Sequence, residues 1–146
     1  MCMLVGEIIF LSICIFLAKD LPIRKKKMYR DPDLLKLAQG QQCLLNCHPY
    51  CDGDEGSTTV ACHSNELIHG KGKGLKADDC MSVWGCYKCH TWLDQGDRSK
   101  RQKAKIFDEA WYRQVQEWHK IADNALLKPW RVEAAEKVLK HIGAKR

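Results

Sequence analysis

A small α+β domain, with two short strands leading into a helix and two longer helices after it, is the fold class this sequence predicts. Three observations predict it. Residues 58–63, "TTVACH", and 80–85, "CMSVWG", are short runs containing β-branched or aromatic residues and bounded by polar or glycine-rich loops, the pattern of strands. Cysteines gather before the first run and directly after the second, as they do in domains that clamp their loops with metal. From residue 107 onward, apolar residues recur every three or four positions, which marks amphipathic helices.

A chain of 146 residues accommodates one domain with a modest core and is too short for two ordinary ones. Its opening segment reads differently from the rest. "IIFLSICIFLA", residues 8–18, is a continuous apolar run about half as long as the roughly 20 residues a spanning helix needs. Positive charge follows that run instead of preceding it, against a secretory signal. Residues 1–27 are therefore expected to be an extension outside the fold, with Met28 as the natural start. A weak membrane anchor with a basic flank is the alternative.

Next comes a short helix in "DPDLLKLAQG", with Asp31 as cap, Pro32 in the first helical position and Gly40 as the stop. Residues 43–57 hold three cysteines, a proline and two glycines, the composition of a knuckle-like loop. The first strand ends on His63, and a glycine and lysine loop, "HGKGKGLKADD", separates it from the second. A helix starts at Tyr87 and runs to Asp94. After the charged stretch "DRSKRQK", Phe107, Trp111, Val115, Trp118 and Ala122 form one apolar stripe. The last helix has Pro129 near its start, Val132, Ala135, Val138, Leu139 and Ile142 on one side, and Gly143 at its end. The expected division is thus 1–27, 28–97 and 98–146.

The net charge of +6 looks like an invitation to nucleic acid. Its distribution weakens that inference, because five basic against two acidic groups in residues 1–27 supply half of the excess. Any basic patch has to be local.

Nine cysteines, an odd number, stand at positions 2, 14, 43, 47, 51, 62, 80, 86 and 89. An odd count with a C-x-x-C pair beside a histidine favours metal thiolates in a reducing compartment, here the cytoplasm, over a disulfide framework. Tetrahedral zinc takes four ligands, commonly as two close pairs. Cys86 and Cys89 make one pair; for the other, Cys43, Cys47 and Cys51 are three candidates for two places. Cys62 and Cys80, inside strands, read as ordinary buried thiols.

His90 and Asp94 remain. Four residues apart on a helix, they share a face and suit two ligands of one Mg²⁺, Mn²⁺ or Zn²⁺ ion, although an exposed polar pair has the same spacing. His63, at the end of a strand and before a lysine loop, is a candidate general base. Within that loop Lys71 and Lys73 alternate with glycines and are candidates for phosphate contacts, though the spacing is not that of a nucleotide-binding P-loop and a flexible turn would read the same.

Taken together, "CLLNCHPYC", "STTVACH", "GKGKGLKADD" and "GCYKCHTWLD" resemble the HNH endonucleases, the ββα-metal group, and in particular the small predicted nucleases of phages and prophages. The resemblance covers about residues 28–97. It implies a structural zinc on Cys43, Cys51, Cys86 and Cys89, with Cys47 left over. It implies His63 as general base, His90 and Asp94 as ligands of a catalytic Mg²⁺ or Mn²⁺, and Asp79 in the place of the motif's middle asparagine, orienting the loop or the His63 imidazole. Cys62 stands where many relatives carry a metal-binding aspartate or histidine, so water and phosphate would complete the ion's shell. The implied function is hydrolysis of DNA phosphodiesters, with phage or host recombination proteins as associated partners. A zinc-stabilised DNA-binding module without catalysis is the competing expectation, and a membrane-tethered cysteine-rich protein the third.

Overall fold

The computed structural model describes residues 27–47, 49–51 and 57–144. The apolar opening run, and all but the last residue of the expected extension, lie outside them. Among the described residues no helix is long and apolar enough to cross a membrane. In chain order the elements are α1 (Pro32–Lys36), β1 (Val60–His63), a single 3₁₀ turn (Leu67–His69), β2 (Ser82–Gly85), α2 (Tyr87–Gln95), α3 (Lys100–Ala122) and α4 (Pro129–His141).

Asp31 caps α1 by accepting from the Leu34 N–H at 3.2 Å, and Pro32 occupies the first turn, where its missing donor costs nothing. The same carboxylate, almost fully buried, takes the Lys137 ammonium of α4 at 2.9 Å. One short polar side chain thereby ties the first helix to the last.

β1 and β2 pair antiparallel, with Ala61 opposite Trp84 and His63 opposite Ser82. Successive strand side chains point to opposite faces. Trp84 accordingly joins one core cluster, with Leu34 of α1 and Leu37 directly after it, Trp118 and Ile121 of α3, and Val138 and Leu139 of α4. Val83 and Cys62 join the other, with Cys86, Cys89, Trp92, Leu93, Phe107 and Ala110. Twenty-three residues, about 34 Å at the helical rise, let α3 span both clusters. Both strands are shorter than expected: Thr58 turns away to accept from the Tyr87 N–H at the start of α2, and Cys80 lies in the turn before β2.

The α3 stripe is rotated from the expected one. Ala110, Gln114 and Ile121 are buried, whereas Trp111 and Val115 are only half covered. Gln114, with no exposure at all, accepts the Trp84 backbone N–H at 2.9 Å. The Trp84 carbonyl takes the N–H groups of Leu44 and Leu45 at 2.8 and 3.1 Å. On that side β2 is therefore closed by a side chain and by the cysteine loop.

Gly85 sits at the junction of β2 and the thiol cluster. A Cβ there would meet Leu45 Cδ1 at 2.5 Å and Cys62 Sγ at 2.6 Å. Gly85→Ala should cost about 1–3 kcal/mol through overpacking, seen as a drop of several degrees in the thermal midpoint.

Candidate metal centre and adjoining cavities

The cysteine loop and the start of α2 bring Cys43, Cys51, Cys86 and Cys89 together, all four sulfurs within 4.8 Å of one another. Tetrahedral zinc at about 2.3 Å from each sulfur would set them about 3.8 Å apart, so a small contraction completes the site. The neighbouring Cys89 thiol and then burial push the Cys43 thiol up, and burial raises Cys86 as well. Both shifts favour the protonated thiol, whose proton a metal would have to displace. Four close thiols could hold a metal such as zinc.

The remaining thiols of the fold do other work. Cys47 is buried beside the four and its N–H donates to Cys89 Sγ at 3.3 Å, a contact that supports a thiolate. Cys62 is fully buried, its thiol directed to the Val60 and Gly85 carbonyls. Burial holds its proton on.

His63 ends β1, and its Nε2 lies 2.9 Å from Asp79 Oδ1. A carboxylate oxygen can only accept, so Nε2 carries the hydrogen and the neutral ring keeps its lone pair on Nδ1. Asp79 is itself firmly seated. Its Oδ1 also accepts from Arg30 Nη1 at 3.2 Å, its Oδ2 from the Asp31 N–H at 2.8 Å, and its N–H donates to the Tyr29 carbonyl at 3.0 Å. Ser82 donates to the Asp79 carbonyl at 2.7 Å, and Arg30 also reaches the carbonyls of Lys76 and Ala77. The segment before α1 is thus a strap across the turn that presents Asp79.

On the exposed face of α2, His90 Nε2 lies 3.5 Å from Asp94 Oδ2. Asn65, just beyond β1, donates to Asp94 Oδ1 at 2.9 Å. Two ligands on one octahedral ion stand about 3 Å apart, so the pair suits a divalent cation after a slight closure. Among the described residues the four cysteines are the only group of three or more candidate ligands, and no third such side chain joins His90 and Asp94.

His63, His90 and Asp94 line one cavity of about 490 Å³, together with Asn65, Lys71 and Lys76. Asp79 lies beneath it, buried behind the imidazole. Lys73 does not line it; that lysine is exposed in the turn closed by Gly72 and Leu75. Sequence reasoning passed over Arg30, Asn65 and Lys76. Arg30 meets Asp79 across 49 positions, a separation at which local pattern carries no signal.

These features define an α+β domain with a four-cysteine cluster, whose exposed helix face and strand end open on a lysine-lined cavity. Residues 32–123 match the family described as "Putative nuclease YbcO", and the chain belongs to that family. Neither a curated protein nor a solved structure matches the chain. A nuclease family acts on nucleic acid, which sets the substrate class.

Proposed function

We propose that the protein is a metal-dependent DNA endonuclease of the HNH type, with His63 as general base and a divalent ion, Mg²⁺ or Mn²⁺, on His90 and Asp94. The carrying observation is that a carboxylate-braced imidazole shares one cavity with that His and Asp pair and with two lysines. Residues 28–97 form the nuclease module in this reading, with zinc on the four cysteines as its clamp. The helices of 98–146 support it, residues 1–27 lie outside it, and its free thiols suit the cytoplasm.

Asp79 holds the His63 ring so that Nδ1 is free to act. Nδ1 takes a proton from the attacking water, the water oxygen bonds to phosphorus, and the bond from phosphorus to the leaving sugar oxygen breaks. Lys71 and Lys76 position the strand through its phosphates without reading sequence. When bound, the divalent ion supplies positive charge against the charge that grows on the phosphate oxygens. Asn65 orients Asp94, and Arg30 keeps Asp79 in place.

The test is a cleavage assay on supercoiled, linear and branched DNA with Mg²⁺ and Mn²⁺. Nicking or linearisation by the wild type is expected. No cleavage with any divalent ion, alongside binding that weakens steeply with salt, would leave the non-catalytic DNA-binding module. Asp79→Ala should lower the cleavage rate on the order of 10²-fold and lower the thermal midpoint as well, because it frees the imidazole and also leaves Arg30 and the Asp31 N–H without their carboxylate.

A further inference from the structure

A second cavity, about 580 Å³, adjoins the first and shares Asn65, Lys71 and Asp94 with it. Its character is different. Leu67, Leu93, Ala104 and Phe107 supply an apolar lining, while Lys100 and Lys103 at the start of α3 add two cations to Lys71. Among the described residues none of these three lysines is in an ion pair. Ser64, Asn65 and Glu66 also line it; the Ser64 hydroxyl is held by His69 and the Glu66 N–H, the Asn65 amide donates to Asp94 and keeps its oxygen, and Glu66 adds a carboxylate. Glu66 opposes the cations in part, and Asp94 is engaged by His90 and Asn65.

A trench for phosphates alone needs cations and no apolar floor. A pocket for an apolar ligand needs no ring of lysines. Apolar surface that takes a flat ring, a few polar groups for its edge and ammonium groups at the rim together fit a nucleotide, and the volume is in the range of sites for molecules of that size. A base paired within a duplex cannot enter such a cavity; an unpaired one can.

We infer that this cavity is a nucleotide subsite, which seats an unpaired nucleotide next to the phosphodiester held between His63 and His90. The inference rests on the nuclease reading for its neighbour and extends it: the substrate is a strand with at least one unpaired residue beside the cut. α3 then serves as a wall of the substrate site as well as a support. Lys100 and Lys103 hold the flanking phosphates, and Ala104 leaves room for the base.

The experiment measures binding of dye-labelled single-stranded and blunt duplex oligodeoxynucleotides to the zinc-loaded protein by fluorescence anisotropy, without added divalent ion. The wild type should bind the single strand about tenfold more tightly than the duplex. Ala104→Phe, which fills the cavity, should remove most of that preference while duplex affinity stays the same. Lys100→Glu with Lys103→Glu should weaken both and lower the salt slope by about two. Should Ala104→Phe fail to fold, Ala104→Leu offers the same block with a helix-favouring side chain. Equal affinity for the two forms in the wild type, or an unchanged preference in a folded position-104 variant, overturns the subsite. A cleavage arm separates the two ideas: preference without cleavage on any substrate would sink the nuclease reading and keep the subsite, and cleavage without preference would do the reverse.

Discussion

His63→Ala should abolish cleavage, by about 10²–10⁴-fold, in a protein that still folds and still carries its metal. The side chain is 13 % exposed and, among the described residues, its hydrogen bond is to Asp79, which keeps Arg30 and the Asp31 N–H when the imidazole is gone. Little else in the fold leans on it. Zinc content, circular dichroism and thermal midpoint should stay close to wild type, and DNA affinity should hold because the lysines are untouched. Added imidazole should restore part of the rate if the missing group is a base. Cleavage at the wild-type rate would remove His63 from the mechanism.

Cys86→Ala should have the opposite profile, losing the fold and with it every activity. Cys86 is fully buried at the start of α2, where the thiol cluster, the end of β2 and the second core cluster meet. Structural zinc contributes on the order of 10–16 kcal/mol in small domains at neutral pH, as much as the whole stability of an ordinary domain. With one of four thiolates removed, the protein should lose zinc on gel filtration and show a noncooperative thermal transition. Cobalt substitution provides a direct reading, since four thiolates give an intense sulfur-to-metal absorption in the near ultraviolet that the variant should lack. Cys47→Ala marks the contrast: about 1–2 kcal/mol for a small buried side chain, with zinc retained. Equal losses from the two substitutions would mean that Cys47, too, is a ligand.

Much of the frame was legible in the residues. Asp31 and Pro32 marked the start of α1, and the two strands and the following helix appeared in the expected order, because caps and short apolar runs act locally. The cysteines were visible as a cluster, yet spacing alone left three candidates for two places; only the folded loop brings Cys43 and Cys51 to Cys86 and Cys89 and leaves Cys47 to donate its amide. The lysine loop shows another limit. Alternation with glycine drew attention to Lys73, whereas the turn closed by Gly72 and Leu75 brings Lys76 to the cavity instead. Gln114 was hidden for a different reason. A glutamine within a helix reads as surface, and its burial follows from a backbone donor thirty residues away in β2.

That last contact has a bearing on how copies of this chain meet one another. A two-stranded ribbon ordinarily offers its outer rim to any passing extended segment, which is how misassembly and fibril growth begin. Here the outer rim of β2 is spoken for at Trp84, its amide by an amide side chain and its carbonyl by two residues of the cysteine loop. Shortening Gln114 would leave the buried Trp84 N–H without its acceptor, at a cost on the order of 1–3 kcal/mol, so the one glutamine both supports the core and completes the pairing of that rim.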